Sequence, residues 1–260
     1  MRMSKVVPER GEPITNIIRP CMNPPAGGGN AVDRYATGQY AEAVPDWHSD
    51  DAPHKAAAVV ALLSELGWAP KRVADVGCGT GSVLARVCEA LDCEGQGVDV
   101  APAAIERAAS RPGLQFAVGD VSAVAPCDVV LCLDVVEHVA DDIELVRSLA
   151  DCAPRIVLRV PLDASALDVL RPGRMLAARR NWGHRHVYTI DLVRALIDDA
   201  GLDLVALRFD RVPFRASTAK GRLSDAVRRI CHRWAPEPST RVFGGYSVLL
   251  AATPRGSSCA

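Results

Sequence analysis

Residues 73–87 read VADVGCGTGSVLARV: a short apolar run, three glycines alternating with small residues, then apolar residues on a longer period. The first run suits a strand and the later spacing suits a helix. Gly77, Gly79 and Gly81 therefore fall at a strand-to-helix turn, where the missing Cβ lets backbone N–H groups approach a ligand closely. The spacing G-x-G-x-G departs from the dinucleotide fingerprint, because Ser82 stands at its third small position. Asp75 places a carboxylate inside the apolar run, and a charge buried there predicts a cationic or hydrogen-bonding partner.

The alternation that starts at this turn continues. Apolar runs at 72–76, 95–99, 114–118, 127–133 and 155–160 predict buried parallel strands, with helical stretches near 81–91, 102–110 and 141–151 between them. Pro102 opens the second of these helices, and Asp141 can cap the third. Such alternation implies an α/β fold, a Rossmann-like doubly wound sheet with right-handed crossovers. Beyond a polar segment (161–188) come a helix at 189–201, a strand at 202–210, a basic helical stretch at 221–235 and a closing strand at 245–253. The last two strands lack a crossover helix of useful length, so the seventh strand is expected to run antiparallel.

Upstream, Asp51 and Pro53 predict the start of a helix over 52–66 with Val59, Leu62, Leu63 and Leu66 on one face. Residues 1–30 hold five prolines, end in NPPAGGGN and read as a flexible leader. Tyr35, Tyr40, Trp47 and His48 crowd an otherwise aromatic-poor chain, so 31–70 is expected to form an N-terminal lid segment and helix. The main domain is then 71–253, with a tail at 254–260.

Composition narrows the function. Lys and Arg number 30 against 31 Asp and Glu, a balance that makes bulk coating of nucleic acid unlikely as a role. No apolar run approaches the ~18–20 residues of a membrane helix, and MRMSKVVPERGEP has no signal-peptide pattern. The nine cysteines include no C-x-x-C pair and are expected as free thiols of a cytoplasmic protein.

Asp99 closes the second strand, Asp120 the third, and Asp134, Glu137 and His138 follow the fourth. All fall at carboxyl ends of adjacent strands, where open α/β sheets bind ligands. With these residues the chain resembles the class I S-adenosylmethionine-dependent methyltransferases: VADVGCGTG, GVDV, VGDV and VLCLDVVEHV are similar to their first four motifs, in order. The resemblance spans about residues 54–253 and implies S-adenosyl-L-methionine as cofactor. It implies that Asp75 and Gly77, Cys78, Gly79, Thr80 and Gly81 hold the methionine part, and Asp99 with Val100 the ribose. Asp120 and Val121 are implied at the adenine, and Leu133 and Asp134 at the methionine amine or methyl group. DWHSDDAPHKA and the segment PLDASALDVLRPGRMLAARRNWGHRHVYT resemble a bacterial group within that family, which usually carries Trp where His54 stands.

A sulfonium is already an activated electrophile, so holding the acceptor in line matters more than a base: ~7–11 kcal/mol can come from proximity against ~10²–10⁴-fold from proton transfer. His138, His184 and His186 are the candidate catalytic residues, the last two sharing a face if GHRHVY is extended. No carboxylate or Cys is spaced to complete a metal site with them, so no metal is expected. Arg159, Arg171, Arg174, Arg179, Arg180 and Arg185 crowd one segment and suggest an anionic acceptor. The expected activity is methylation of O or N of a small metabolite. The alternatives are an RNA methyltransferase, a nicotinamide oxidoreductase, and a cofactor-binding regulator without turnover. Lys220, Arg222, Arg228, Arg229, Arg233, Ile230 and Trp234 suit an amphipathic helix serving as a lid or homodimer surface.

Overall fold

The computed structural model describes residues 49–108, 111–211 and 219–256. The leader, the aromatic residues at 35–48 and the last four residues lie outside the described residues.

Seven strands form one sheet: β1 (Arg72–Val76), β2 (Glu94–Asp99), β3 (Leu114–Val118), β4 (Val129–Leu133), β5 (Ile156–Pro161), β6 (Leu202–Arg211) and β7 (Tyr246–Pro254). Their order is β3-β2-β1-β4-β5-β7-β6. β1 to β5 pair in parallel, whereas β7 runs antiparallel between β5 and β6. The chain builds outward from β1 in one direction and restarts from β4 in the other. The crevice at the carboxyl ends of these two strands is therefore the topological switch point.

β4 is buried at every residue and β7 at all but its last, which accounts for their nearly unbroken apolar sequences. Side chains alternate between two cores. Val130 and Cys132 face one with Leu158, Val160, Val248 and Leu250; Val129, Leu131 and Leu133 face the other with Val157, Leu249 and Ala251. The first core is covered by α4 (Asp142–Cys152) and α7 (Ile190–Asp199), the second by α1 (Ala52–Glu65) and α2 (Ser82–Leu91). Leu62 and Leu63 of α1 are essentially inaccessible, and burial of such a side chain contributes ~1.5–3 kcal/mol. Short helices α3 (Pro102–Ile105), α5 (Ala166–Leu170) and α6 (Arg174–Asn181) and the carboxyl-terminal α8 (Ala219–Trp234) and α9 (Pro236–Val242) complete the fold.

Three local expectations are corrected. β3 is not buried: it is the sheet edge, and Gln115, Ala117 and Val118 are exposed. The helix expected over 102–110 is α3, a single turn; Arg107 and Ala108 already donate three residues back, a tightening that ends it. Asp51 does not cap α1. It lies in a 3-10 turn with helical dihedrals (φ −87°, ψ −11°), whereas a cap residue needs an extended backbone. Asp141 and Thr189 do cap, accepting from the N–H groups of Glu144 and Leu192 at 2.9 and 3.3 Å.

Phe116 on β3 lies over Gly97 of β2. A Cβ on Gly97 would stand 2.6 Å from its ring and 2.7 Å from Cys78 Sγ, whereas one on Gly113 would meet nothing within 4 Å. Gly97→Ala is expected to lower stability by ~1–3 kcal/mol through overpacking. At Gly113, where φ is +80°, the same change is expected to cost only the left-handed backbone, ~1–2 kcal/mol. Urea unfolding of the two variants measures the difference.

Candidate active site

β1 leads into a turn in which Gly77, Gly79 and Gly81 all have left-handed φ (75°, 56° and 70°). A Cβ on Gly77 would overlap the Val135 side chain, and one on Gly81 the Phe116 ring, so space as well as conformation requires glycine there. The donors of this turn are used within the protein. Gly77 and Cys78 donate to the Val98 carbonyl at 2.8 and 3.1 Å, and Gly81 to that of Cys78 at 2.9 Å. Gly79 donates to Asp99 Oδ2 at 2.8 Å. At these four positions the N–H groups are turned toward β2 and their own loop, not toward a ligand. A pyrophosphate, which needs such donors, is poorly served.

What the turn presents instead is acidity. Asp75 is 3% exposed; burial, then the charge of Asp99, pushes its carboxyl up to about 7, with Lys55 opposing. Asp99 accepts from Ala101 N–H at 2.9 Å as well as from Gly79. Burial raises its pKa against these two hydrogen bonds. Asp120 is exposed, and the hydroxyl and N–H of Ser122, at 2.6 and 2.9 Å, hold its carboxyl below the ordinary range. Asp75, Gly77, Cys78, Gly79, Thr80, Asp99, Val100, Asp120, Val121, Leu133 and Asp134 all line one cavity. Of the residues expected at the cofactor, Gly81 alone does not line it; it opens α2 beneath Phe116.

A second cavity opens beside the first, and Lys55, Asp134 and His138 line both. Asp134 is a non-glycine residue at φ 57°, a conformation that must be held from outside. Arg159 Nη1 donates to its two oxygens at 2.6 and 2.5 Å, and Lys55 Nζ lies 2.8 Å away. Burial opposes the charge, but Arg159 and then Lys55 outweigh it and hold Asp134 at about 2. Arg159, 5% exposed, also donates from Nη2 and Nε to Asp210 at 3.1 and 3.2 Å. His54 Nε2 lies 2.7 Å from the other Asp210 oxygen.

The histidines separate. His138 ends a 3-10 turn (Val136–His138) and packs edge-on against His184, ring centroids 5.0 Å apart. His184 Nδ1 is 2.6 Å from Asp163 Oδ2, which turns its other nitrogen away from that partner. His186 lines neither cavity; its Nε2 is 3.1 Å from the Val139 carbonyl and its ring stacks on Tyr188. The face expected to join His184 and His186 does not form. Instead, the N–H groups of Arg185 and His186 donate to the Glu137 carbonyl at 2.7 and 3.2 Å, docking the 183–188 loop on the turn that carries His138. Glu137, His138 and His184 thereby offer ligand atoms within 4.8 Å of one another, a grouping that spacing along the chain does not show.

The arginine run is dispersed as well. Arg171, Arg179 and Arg180 are exposed, Arg174 Nε is 3.3 Å from Asp168, and Arg159 is shared between two carboxylates. The second cavity is lined by Asp51, Asp134, Glu137, Asp163 and Asp168 against Lys55, Arg159 and Arg174. Lys55 and Asp163 went unread in the sequence; Lys55 looks there like any solvated lysine near a helix start. Among the described residues no helix is long and apolar enough to cross a membrane.

A family model described as a methyltransferase domain matches residues 47–207. No curated protein matches the chain. Magnesium protoporphyrin IX methyltransferase from Synechocystis PCC 6803, solved with bound SAH, shares 20% identity, with 82% of this chain and 86% of that one covered, at a TM-score of 0.50. The plantazolicin methyltransferase BpumL, solved with a monoazolic desmethylPZN analog and SAH, shares 13% identity over 86% and 96% of the chains at 0.54. A chain from the complex of the Haloferax volcanii Trm112 methyltransferase activator with its methyltransferase shares 16% over 88% and 100% at 0.59. These likenesses are of fold. The family match spans more than half of the chain and makes it a member of the class I S-adenosylmethionine-dependent methyltransferases.

Proposed function

We propose that the chain transfers a methyl group from S-adenosylmethionine to an oxygen or nitrogen of a small metabolite seated in the second cavity. The observation that carries this reading is the shared rim: Lys55, Asp134 and His138 belong to both cavities, so two ligands bound side by side would meet there.

The residues present fit the cofactor. Among the described residues no cation forms an ion pair with buried Asp75 or Asp99, and a zwitterion with a sulfonium brings positive charge. Asp75 and the glycine turn would hold the methionine part, and Asp99 with Val100 the ribose. Asp120 and Val121 would border the adenine, and Leu133 and Asp134 the methyl end. When bound, the cofactor supplies a methyl group already activated by its sulfonium. The chain's own residues do the rest: Arg159 and Lys55 fix Asp134, the docked 183–188 loop fixes His184, and Asp163 orients that imidazole toward the acceptor's heteroatom. His184, with His138 beside it, is placed to take the acceptor's proton; His186 supports the loop. The acidic lining favours a neutral or amine acceptor over the anion suggested by the arginine run, because Arg159 and Arg174 already have carboxylate partners.

Because Asp75 sits near 7 when alone, a cationic ligand beside it favours its ionised form and expels a proton. Calorimetric titration with S-adenosylmethionine at pH 6, in buffers of different ionisation enthalpy, is expected to show proton release. At pH 8 Asp75 is ionised beforehand and the release should vanish. Asp75→Asn should abolish the release at pH 6 and weaken binding by ~1.5–3 kcal/mol, the worth of a hydrogen bond to a charged group.

Incubation with labelled S-adenosylmethionine and a metabolite extract is expected to give products heavier by one methylene. Binding without product would favour the regulator instead. With the acceptor in hand, His184→Gln is expected to lower turnover by ~10²–10⁴-fold while leaving the S-adenosylhomocysteine dissociation constant unchanged.

A further inference from the structure

The floor of the second cavity holds a buried carboxylate with one oxygen left unpaired among the described residues. Glu137 is 1% exposed and its Oε2 has no hydrogen-bond partner. A carboxylic acid in such a place usually finds a donor or a cation. Two imidazoles stand close to it: His138 Nε2 lies 3.8 Å from Glu137 Oε1, and the His138 and His184 rings pack edge to face.

His184 is set up in a particular way. Its Nδ1 is 2.6 Å from Asp163 Oδ2, so Nδ1 carries the proton and Nε2 presents a lone pair. A carboxylate behind a histidine is the arrangement that fixes tautomer and basicity in metal-binding imidazoles. Three ligand atoms, one from each of Glu137, His138 and His184, lie within 4.8 Å of one another. Bonds of ~2.0–2.2 Å place neighbouring ligands of a tetrahedral ion ~3.4 Å apart, so side-chain rotations of about an ångström close the set. One carboxylate and two neutral imidazoles leave further positions open toward the cavity.

We propose that Glu137, His138 and His184 bind a divalent transition-metal ion, with Asp163 as the carboxylate behind His184 and the methyl acceptor's oxygen or nitrogen as a further ligand. The proposal rests on the acceptor reading of the second cavity and sharpens it: the ion replaces free imidazole as the group that orients the acceptor. Its chemistry is to lower the pKa of a bound hydroxyl toward neutrality. Two histidines and a carboxylate suit Zn²⁺, Co²⁺ or Fe²⁺ better than Mg²⁺ or Ca²⁺, which prefer all-oxygen sites. A doubly positive ion beside the Glu137 carboxylate leaves one positive charge, which the Asp163 carboxylate behind His184 faces.

The test uses the untagged full chain, stripped with chelator and titrated with Co²⁺ and Zn²⁺ by calorimetry, with the visible absorption of Co²⁺ as a second readout. One ion per chain is expected, with bands of a four- or five-coordinate site bearing nitrogen ligands. Glu137→Gln and His184→Ala should each remove the bands or weaken binding at least tenfold, and Asp163→Asn should weaken it ~10–100-fold. S-adenosylhomocysteine titration of each variant reports folding, because none of these three residues lines the cofactor cavity. If one variant fails that check, the other two carry the comparison. Absence of Co²⁺ binding, or equal binding by wild type and all folded variants, overturns the metal site. Failure of wild type to bind S-adenosylhomocysteine would instead overturn the methyltransfer reading, so the two failures are distinct.

Discussion

Arg159 is the constraint on which the site turns. It projects from β5 among buried residues and divides its guanidinium between Asp134, at the end of β4, and Asp210, near the end of β6. Lys55 and His54 bring α1 to the same two carboxylates. Four elements are thus tied at one corner of the sheet. A buried ion pair is poor evidence of net stability, since desolvation can cancel the attraction. Its value here is geometric, because it fixes a residue whose backbone is otherwise unfavourable. Asp134 at φ 57° turns the chain sharply out of β4. Without that turn, Val135 would not cover Gly77 and His138 would not reach the rim between the cavities.

The economy of hydrogen bonds explains which ligand the glycine turn suits. In phosphate-binding turns the N–H groups face outward. In this chain Val98 and Asp99 of β2 capture those of Gly77, Cys78 and Gly79. The loop is rigidified by its neighbour, and the surface left to a ligand is carboxylate-rich. The same three-glycine pattern therefore serves opposite charges according to whether the adjacent strand offers acceptors. Asp99 does this at the cost of its own desolvation, which Ala101 and Gly79 partly offset.

This is also why some of the molecule is legible from its sequence and some is not. Strand and helix periods are local, and β1, β2, β4 and β5 appear within a residue or two of their apolar runs because both faces of each are covered. The carboxyl-end acids are legible for the same reason: a charge ending an apolar run has few places to go. Pairing across the chain is different. Arg159 stands inside the apolar run 155–160, unlike Arg171 and Arg179 in the polar segment, but the two carboxylates it is buried between come from elements far along the chain. Asp51 has the type and position of a helix cap, and a preceding 3-10 turn removes the backbone conformation that capping needs. The edge exposure of β3 depends on strand order, which local periodicity does not encode.

The histidines show the same limit at the site itself. An i, i+2 pair shares a face only in an extended segment, and the 183–188 loop instead curls onto the Glu137 carbonyl through two adjacent N–H groups. That docking sends His186 to the Val139 carbonyl and brings His184 against His138, from a stretch more than forty residues away. This side of the second cavity is consequently assembled from two segments whose registry is set by backbone hydrogen bonds rather than by the imidazoles. The buried Glu137 lies at the hinge of that registry: its carbonyl holds the loop and its carboxylate faces the rings the loop delivers. Because one residue performs both tasks, the loop cannot shift without moving the imidazoles relative to the carboxylate. The side-chain arrangement of the second cavity is therefore coupled to the backbone geometry at a single position.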